Sequence, residues 1–239
     1  MSRALSPLRS LLIGLLLAGL TACASTDEES LVDDTRPAAD IFAEAEQLFE
    51  ERNFAEAVTL YDDVERLHPY SPLAKPAMLR AAQASYEAGN YEEARLAAER
   101  FLNFYPADRD AAQAQYIVAL SHYDQMADVG RDQGETRKAL AALRETINRY
   151  PESSYARSAQ LKLDLAEDHL AGKEMTIGRY YLKRGHPVAA INRFRTVIER
   201  YQTTSHTAEA LHRLVESYLM LGVDTEAQRA AAVLGHNFP

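Results

Sequence analysis

The chain has 239 residues, with 26 Lys+Arg against 35 Asp+Glu for a net charge of −9, 47% hydrophobic residues, one cysteine and no tryptophan. An acidic balance argues against nucleic acid as a partner, because a phosphate backbone calls for a basic face. A lone cysteine cannot close an intrachain disulfide.

At the N-terminus, Arg3 and Arg9 precede an apolar run from Leu11 to Leu20. A basic stretch followed by about ten apolar residues reads as an export signal and is too short to span a bilayer. The run ends in Leu20-Thr21-Ala22-Cys23, which resembles the lipobox of bacterial lipoproteins: small residues enter the peptidase cleft and the thiol accepts a diacylglycerol. We therefore expect residues 1–22 to be a signal peptide and Cys23 to carry a covalent lipid, with no other cofactor. Ala24 stands where inner-membrane lipoproteins often carry Asp, so the resemblance implies the outer membrane. Removing residues 1–22 leaves 24 bases against 35 acids.

Residues 23–38 follow as an acidic stretch without aromatics or apolar period, read as a disordered tether. Its reach is about 20 Å at roughly 5–6 Å × √n.

From 39 onward the chain repeats. Segments ending in His68-Pro69, Tyr105-Pro106 and Tyr150-Pro151 superpose as tetratricopeptide units. Ile41, Ala45 and Leu48 mark a first helix, and Phe54, Ala57, Tyr61, Val64 and Pro69 mark a turn, a second helix and its stop. Thirty-seven residues on, Met78, Ala82, Ser85, Tyr91, Ala94, Ala98, Phe101 and Pro106 take the same places. Small residues such as Ala45 and Ala57 let antiparallel helices approach, and proline ends the second of them. A third unit keeps Ala139, Leu143 and Pro151 but opens into a loop at 124–134, read as flexible. A helix running from about Tyr155 to Arg184 leads into a fourth unit marked by Gly178, Tyr181, Gly185, Ala190, Phe194 and Val197, with Tyr201-Gln202 in place of Tyr-Pro. Gly172 is a candidate kink in that helix. A fifth unit has Leu211, Leu214, Tyr218, Gly222, Ala227, Ala231, Leu234 and Pro239. The expected fold is an all-α tetratricopeptide-repeat solenoid of about five helix pairs (39–71, 75–108, 109–153, 171–204 and 206–239), with one long helix in its C-terminal half.

Charge is uneven along the chain. Residues 24–67 hold 14 acids against 3 bases, and residues 173–204 hold 7 bases against 2 acids. Either block reads as a solvated helix face or, for the basic one, as a docking surface that orients an acidic partner. Most tyrosines fall on packing positions; Tyr70, Tyr116 and Tyr123 do not, and are candidates for a groove that grips extended peptide.

No catalytic constellation emerges. None of the seven histidines has a partner one helical turn away, as a helical zinc site requires, and no serine sits in a G-x-S-x-G elbow. Gly130–Gly134 lacks the Lys-Ser/Thr of a phosphate loop. Adjacent carboxylates such as Glu50-Glu51 diverge by about 100° on a helix.

Five stretches, Pro69-Tyr70-Ser71-Pro72, Arg100 to Pro106, Tyr150 to Ala156, Tyr180 to Gly185, and Ala189-Ala190-Ile191-Asn192-Arg193, together with the lipobox and tether, resemble the BamD family of outer-membrane protein assembly lipoproteins. The resemblance covers nearly the whole chain. It implies a non-enzymatic scaffold facing the periplasm, anchored to the membrane by lipid, whose C-terminal repeats contact a BamA-type barrel insertase and whose N-terminal groove engages unfolded outer-membrane proteins beside other assembly-complex lipoproteins. It places Asn192, Arg193 and Arg195 at the insertase and Tyr70, Pro72 and Tyr116 in the substrate groove. The alternative is a periplasmic tetratricopeptide adaptor that organises cell-wall synthesis or turnover enzymes.

Overall fold

Two residues per unit decide how closely its helices pack. In the computed structural model, which describes residues 36–238, Ala45 meets the helix carrying Ala57, and Ala82 the helix carrying Ala94, and all four alanines are fully buried. Residues 1–22, Cys23, most of the tether and Pro239 lie outside the described residues. The helices are α1 (Ala38–Glu50), α2 (Phe54–Leu67), α3 (Ala74–Glu87), α4 (Tyr91–Phe104), α5 (Ala111–Tyr123), α6 (Gly134–Arg149), α7 (Ser154–Lys183), α8 (Pro187–Arg200), α9 (Thr207–Met220) and α10 (Asp224–Asn237). Each packs on the next in chain order, and α3, α5 and α7 also meet along one side. Among the described residues this is an all-helical tetratricopeptide solenoid.

The first helix of each middle unit is covered on two faces, which explains its composition. Ala77, Ala81 and Ala84 of α3 pack toward the first unit, whereas Met78, Leu79 and Ala82 belong to the core shared with α4, α5 and α6. A helix buried nearly all round cannot show a narrow apolar stripe.

The 30-residue α7, about 45 Å long at 1.5 Å per residue, serves two cores in succession. Ala159, Leu163, Ala166 and Leu170 join the core of the second and third units; Ala171, Met175 and Leu182 join that of the fourth and fifth. At 100° per residue the buried face turns by roughly a third of a revolution between Leu170 and Ala171.

The stops and turns repeat more faithfully than the residues that make them. His68, Tyr105, Tyr150 and Tyr201 all end their helices with φ between −129° and −131° and ψ between 43° and 54°. Proline follows the first three and bars helical geometry to the residue before it. Gln202 follows the fourth, where the Thr204 and Thr207 hydroxyls donate to the Tyr201 carbonyl at 2.8 and 3.2 Å. The turn between paired helices needs a left-handed residue: Gly89, Gly185 and Gly222 supply it at φ of 72–80°, and Arg52 does so in the first unit at φ 62°. In the fifth unit Ala231 is exposed, contrary to its expected packing role, because among the described residues no further helix lies against α10.

Two substitutions are expected to act in opposite directions. Arg52→Gly removes about 1 kcal/mol of left-handed strain and should raise the thermal midpoint by a few degrees. Gly178→Ala would place a Cβ 2.4 Å from Phe194 Cε1, and overpacking of this kind costs about 1–3 kcal/mol. Thermal denaturation followed by circular dichroism checks both.

Candidate interaction surfaces

The side formed by α1, α3 and α5 is where a groove would lie, and its side chains are already engaged with one another. Tyr61 donates to Glu46 Oε1 at 2.6 Å, and Arg80 Nε donates to the same oxygen at 2.6 Å while its Nη2 pairs with Oε2. The Arg80 guanidinium also lies over the Phe49 ring, 4.3 Å from its centroid. Burial pushes the Tyr61 hydroxyl well up, and the Glu46 carboxylate that accepts its proton adds to this. Burial would raise the Glu46 carboxyl, but the hydrogen bonds from Arg80 and Tyr61 overcome it and hold the group below its usual range. Farther along, Gln113 reaches Gln83 at 3.4 Å and Lys75 closes on Asp108 at 2.6 Å.

The three groove candidates divide. Tyr70 is fully exposed and Pro72 is exposed beside it in the connection from α2 to α3. Tyr116, on α5, sets its ring 5.6 Å from that of Tyr155 and packs against the core of the second and third units. Its register explains the difference. At the 37-residue step, Tyr116 follows Leu79 and Phe42; Leu79 is buried and Phe42 packs edge-on to Tyr61 at 5.6 Å. Tyr116 is therefore on a packing position and is half-buried. Tyr123 likewise follows Tyr86 and Phe49, and Lys162 of α7 stands 4.4 Å from its ring centroid. Composition did not single out Phe49, Arg80 or Tyr155, although the 49–86–123 series was readable at the repeat step.

On α8, Asn192 sits at the middle of the exposed face, its carbonyl accepting from Thr196 Oγ1 at 2.9 Å. Arg193 lies about 100° to one side and Arg195 about 60° to the other, so the two arginines flank Asn192 and do not form one cluster. Arg193, 43% exposed, donates to Glu174 of α7 at 3.1 Å, and Arg195 pairs with Glu199 at 2.9 Å. Tyr181, Ala189 and Thr196 complete the Asn192–Arg193 surface. The basic stretch is less free than its count suggests. Arg179 pairs with Glu209 at 2.9 Å and Lys173 donates to the Arg131 carbonyl at 2.7 Å. Lys183, Arg184 and Arg200 have no carboxylate partner among the described residues.

The segment between α5 and α6, read from sequence as flexible, is pinned. Buried Gln133 donates to the Asp128 and Arg131 carbonyls at 3.0 and 3.1 Å and accepts from Thr136 at 2.9 Å. His169 Nε2 lies 2.8 Å from the Ala127 carbonyl. Gly172 does not interrupt α7; it is buried with Val129 on one side and His206 on the other, and a Cβ would come within 3.1 Å of His206 Nε2. A polar loop whose carbonyls are consumed by side chains of a neighbouring helix behaves as part of the scaffold. Among the described residues no three His, Cys, Asp or Glu side chains converge as a metal site.

Because the folded Glu46 carboxyl lies below its usual value near 4.5, the stability it contributes is complete above that pH and lost as pH falls through the lower folded value. Glu46→Gln should cost about 1 kcal/mol at pH 7, the pair being partly screened by solvent. Urea denaturation at pH 7 and pH 3 should find the gap between variant and parent shrinking on acidification.

The model of the YfiO family, described as outer membrane lipoprotein, matches residues 34–234. The outer membrane protein assembly factor BamD of Caulobacter vibrioides is 46% identical over 94% of this chain and 74% of its own length. That of Rickettsia prowazekii is 41% identical over 97% and 92% respectively, and that of Neisseria meningitidis serogroup A 31% over 95% and 89%. Among solved structures, the TPR2AB-domain–pHSP90 complex of yeast Sti1 aligns with a TM-score of 0.46 at 18% identity, over 81% of this chain and 74% of that one.

Proposed function

The chain belongs to the YfiO family of outer membrane lipoproteins and is a non-enzymatic component of outer-membrane protein assembly, and from that premise we propose how its surfaces divide the work. The Asn192–Arg193 face of α8 docks a BamA-type barrel insertase, and Tyr70 and Pro72, with the α1–α3–α5 side behind them, engage unfolded outer-membrane protein. Other assembly-complex lipoproteins attach elsewhere on the solenoid. The observation that carries the first assignment is the position of Asn192 at the centre of an exposed helix face, flanked by Arg193 on one side and Arg195 on the other. A face of this kind steers an acidic partner and sets its orientation. Arg193 is held in place by Glu174, so its guanidinium is presented without the full entropic cost of ordering a free side chain. For the substrate side, Tyr70 offers an uncovered ring and hydroxyl to an extended chain, whereas Tyr116, half-buried against Tyr155, supports the wall. The reading of a cell-wall adaptor is not favoured.

No helix among the described residues is long and apolar enough to cross a membrane. Attachment through acyl chains on Cys23 supplies the anchor in this proposal, since two or more chains at roughly 0.8 kcal/mol per buried CH₂ hold a protein stably. It leaves the body facing the periplasm within about 20 Å of the bilayer.

Co-purification from detergent-solubilised membranes tests the docking surface. Arg193→Glu should reduce insertase recovery at least several-fold at moderate salt, and equal recovery at low and high salt would remove Arg193 from the interface. For the anchor, Cys23→Ser exported through a conventional cleavage site should move most of the protein into the soluble periplasmic fraction; full retention on the membrane would assign attachment to protein contacts.

A further inference from the structure

The C-terminal half of α7 carries a second surface, on the side of the helix away from Asn192 and Arg193. Tyr181 faces that insertase-docking surface, and Lys183, two residues on, points about 200° round the helix from it. There α7 and α9 form a groove lined by Arg179, Leu182, Lys183, Arg213, Glu216 and Met220. Arg179 donates to Glu209 at 2.9 Å, and Arg213 bridges Glu209 at 3.4 Å and Glu216 at 2.9 Å. This ladder fixes the arginines across the groove and uses up both carboxylates. Lys183 is left over; Arg184, the next residue and outside the groove lining, stacks on the exposed Tyr180 ring 4.9 Å from its centroid beyond the groove's end. Met220, 53% exposed, supplies an apolar surface beside the surplus charge.

Toward the other end of the solenoid, the cations of α3 are closed by acids, Arg80 by Glu46 and Lys75 by Asp108. A helix dipole accounts for cations in the last turn of α7. Arg213, in the middle of the facing helix, is paired with Glu209 and Glu216 and adds no surplus charge; it fixes the opposite wall of the groove. In a chain of net charge −9, a groove whose arginines are paired while Lys183 is left over beside an exposed methionine is complementary to negative charge flanking a large apolar side chain.

We infer that the α7–α9 groove is a docking site for an extended acidic peptide segment of a partner protein, carboxylates meeting Lys183 and Arg184 and an apolar side chain resting on Met220. Because it lies across α7 from Asn192 and Arg193, it is separate from the insertase-docking reading, and both surfaces can be occupied together.

The test uses the full acylated protein in detergent and a fluorescein-labelled hexapeptide with one phenylalanine flanked by aspartates and glutamates, followed by fluorescence anisotropy. Saturable binding should weaken at least tenfold in the Lys183→Glu/Arg184→Glu double variant and about threefold in Met220→Ala, fall with added salt, and stay within twofold in Arg193→Glu. Equal binding of the asparagine/glutamine counterpart of the peptide would overturn the inference, as would undiminished binding by the double variant or none by the parent. A melting curve accompanies each variant; if the double glutamate variant is unfolded, Lys183→Ser/Arg184→Ser decides by the same criterion. Concentration-dependent self-association that the double variant abolishes would assign the groove to the acidic Asp27–Asp34 stretch of a second copy and overturn the partner reading.

Discussion

Everything in this solenoid depends on the close approach of paired helices at alanine. Ala45, Ala57, Ala82, Ala94, Ala139 and Ala190 are all fully buried, and each marks a crossing where a longer side chain would drive two backbones apart. The large residues Tyr61, Leu143 and Phe194 are fully buried one turn on from such a crossing, and Phe101 two turns on from Ala94. Gly178 is the extreme case, its backbone seated on the Phe194 ring. Each unit buries its apolar face only by stacking on its neighbours, so the interfaces between units are as much a part of the core as the pairs themselves.

That constraint explains why the architecture could be read from sequence. Small and large residues recur at a step of 37 between the first two units, and the stops His68-Pro69, Tyr105-Pro106 and Tyr150-Pro151 close the first three. What escaped the reading was whatever depended on partners in another unit. Tyr116 looked free because its register was not traced back through Leu79 to Phe42. Arg80 carried no mark of interest until Glu46, one unit away, appeared beside it. The basic stretch of α7 and α8 looked uniformly available because Glu209, which neutralises Arg179, lies beyond its end in sequence. The loop after α5 is glycine-containing and polar, as flexible loops are, yet Gln133 and His169 take up its carbonyls. Lipidation at Cys23 remains a proposal drawn from the sequence, since Cys23 lies outside the described residues.

The two ends of the solenoid differ in how they treat charge. Toward the N-terminus, half-buried ion pairs and aromatic rings close on one another, while Tyr70 stays exposed. Toward the C-terminus, salt bridges hold arginines in place while Lys183, Arg184 and Arg200 stay uncompensated. The proposed division of labour, non-native chains at one end and folded partners at the other, would be served by this difference, since aromatic contact tolerates sequence variety and fixed charge sets direction.

The turn of the buried face along α7 bears on where the molecule can be divided. Between Leu170 and Ala171 one core ends and the next begins, yet the backbone hydrogen bonds run through without a break. A natural boundary between modules falls in a connecting segment that few contacts cross, and here the boundary between cores falls inside a helix. A cut there would leave Met175 and Leu182 on one fragment, or Leu163 and Leu170 on the other, on a helix deprived of half its length. The solenoid is built of repeats and nevertheless has no seam at its middle, because one continuous helix belongs to both cores.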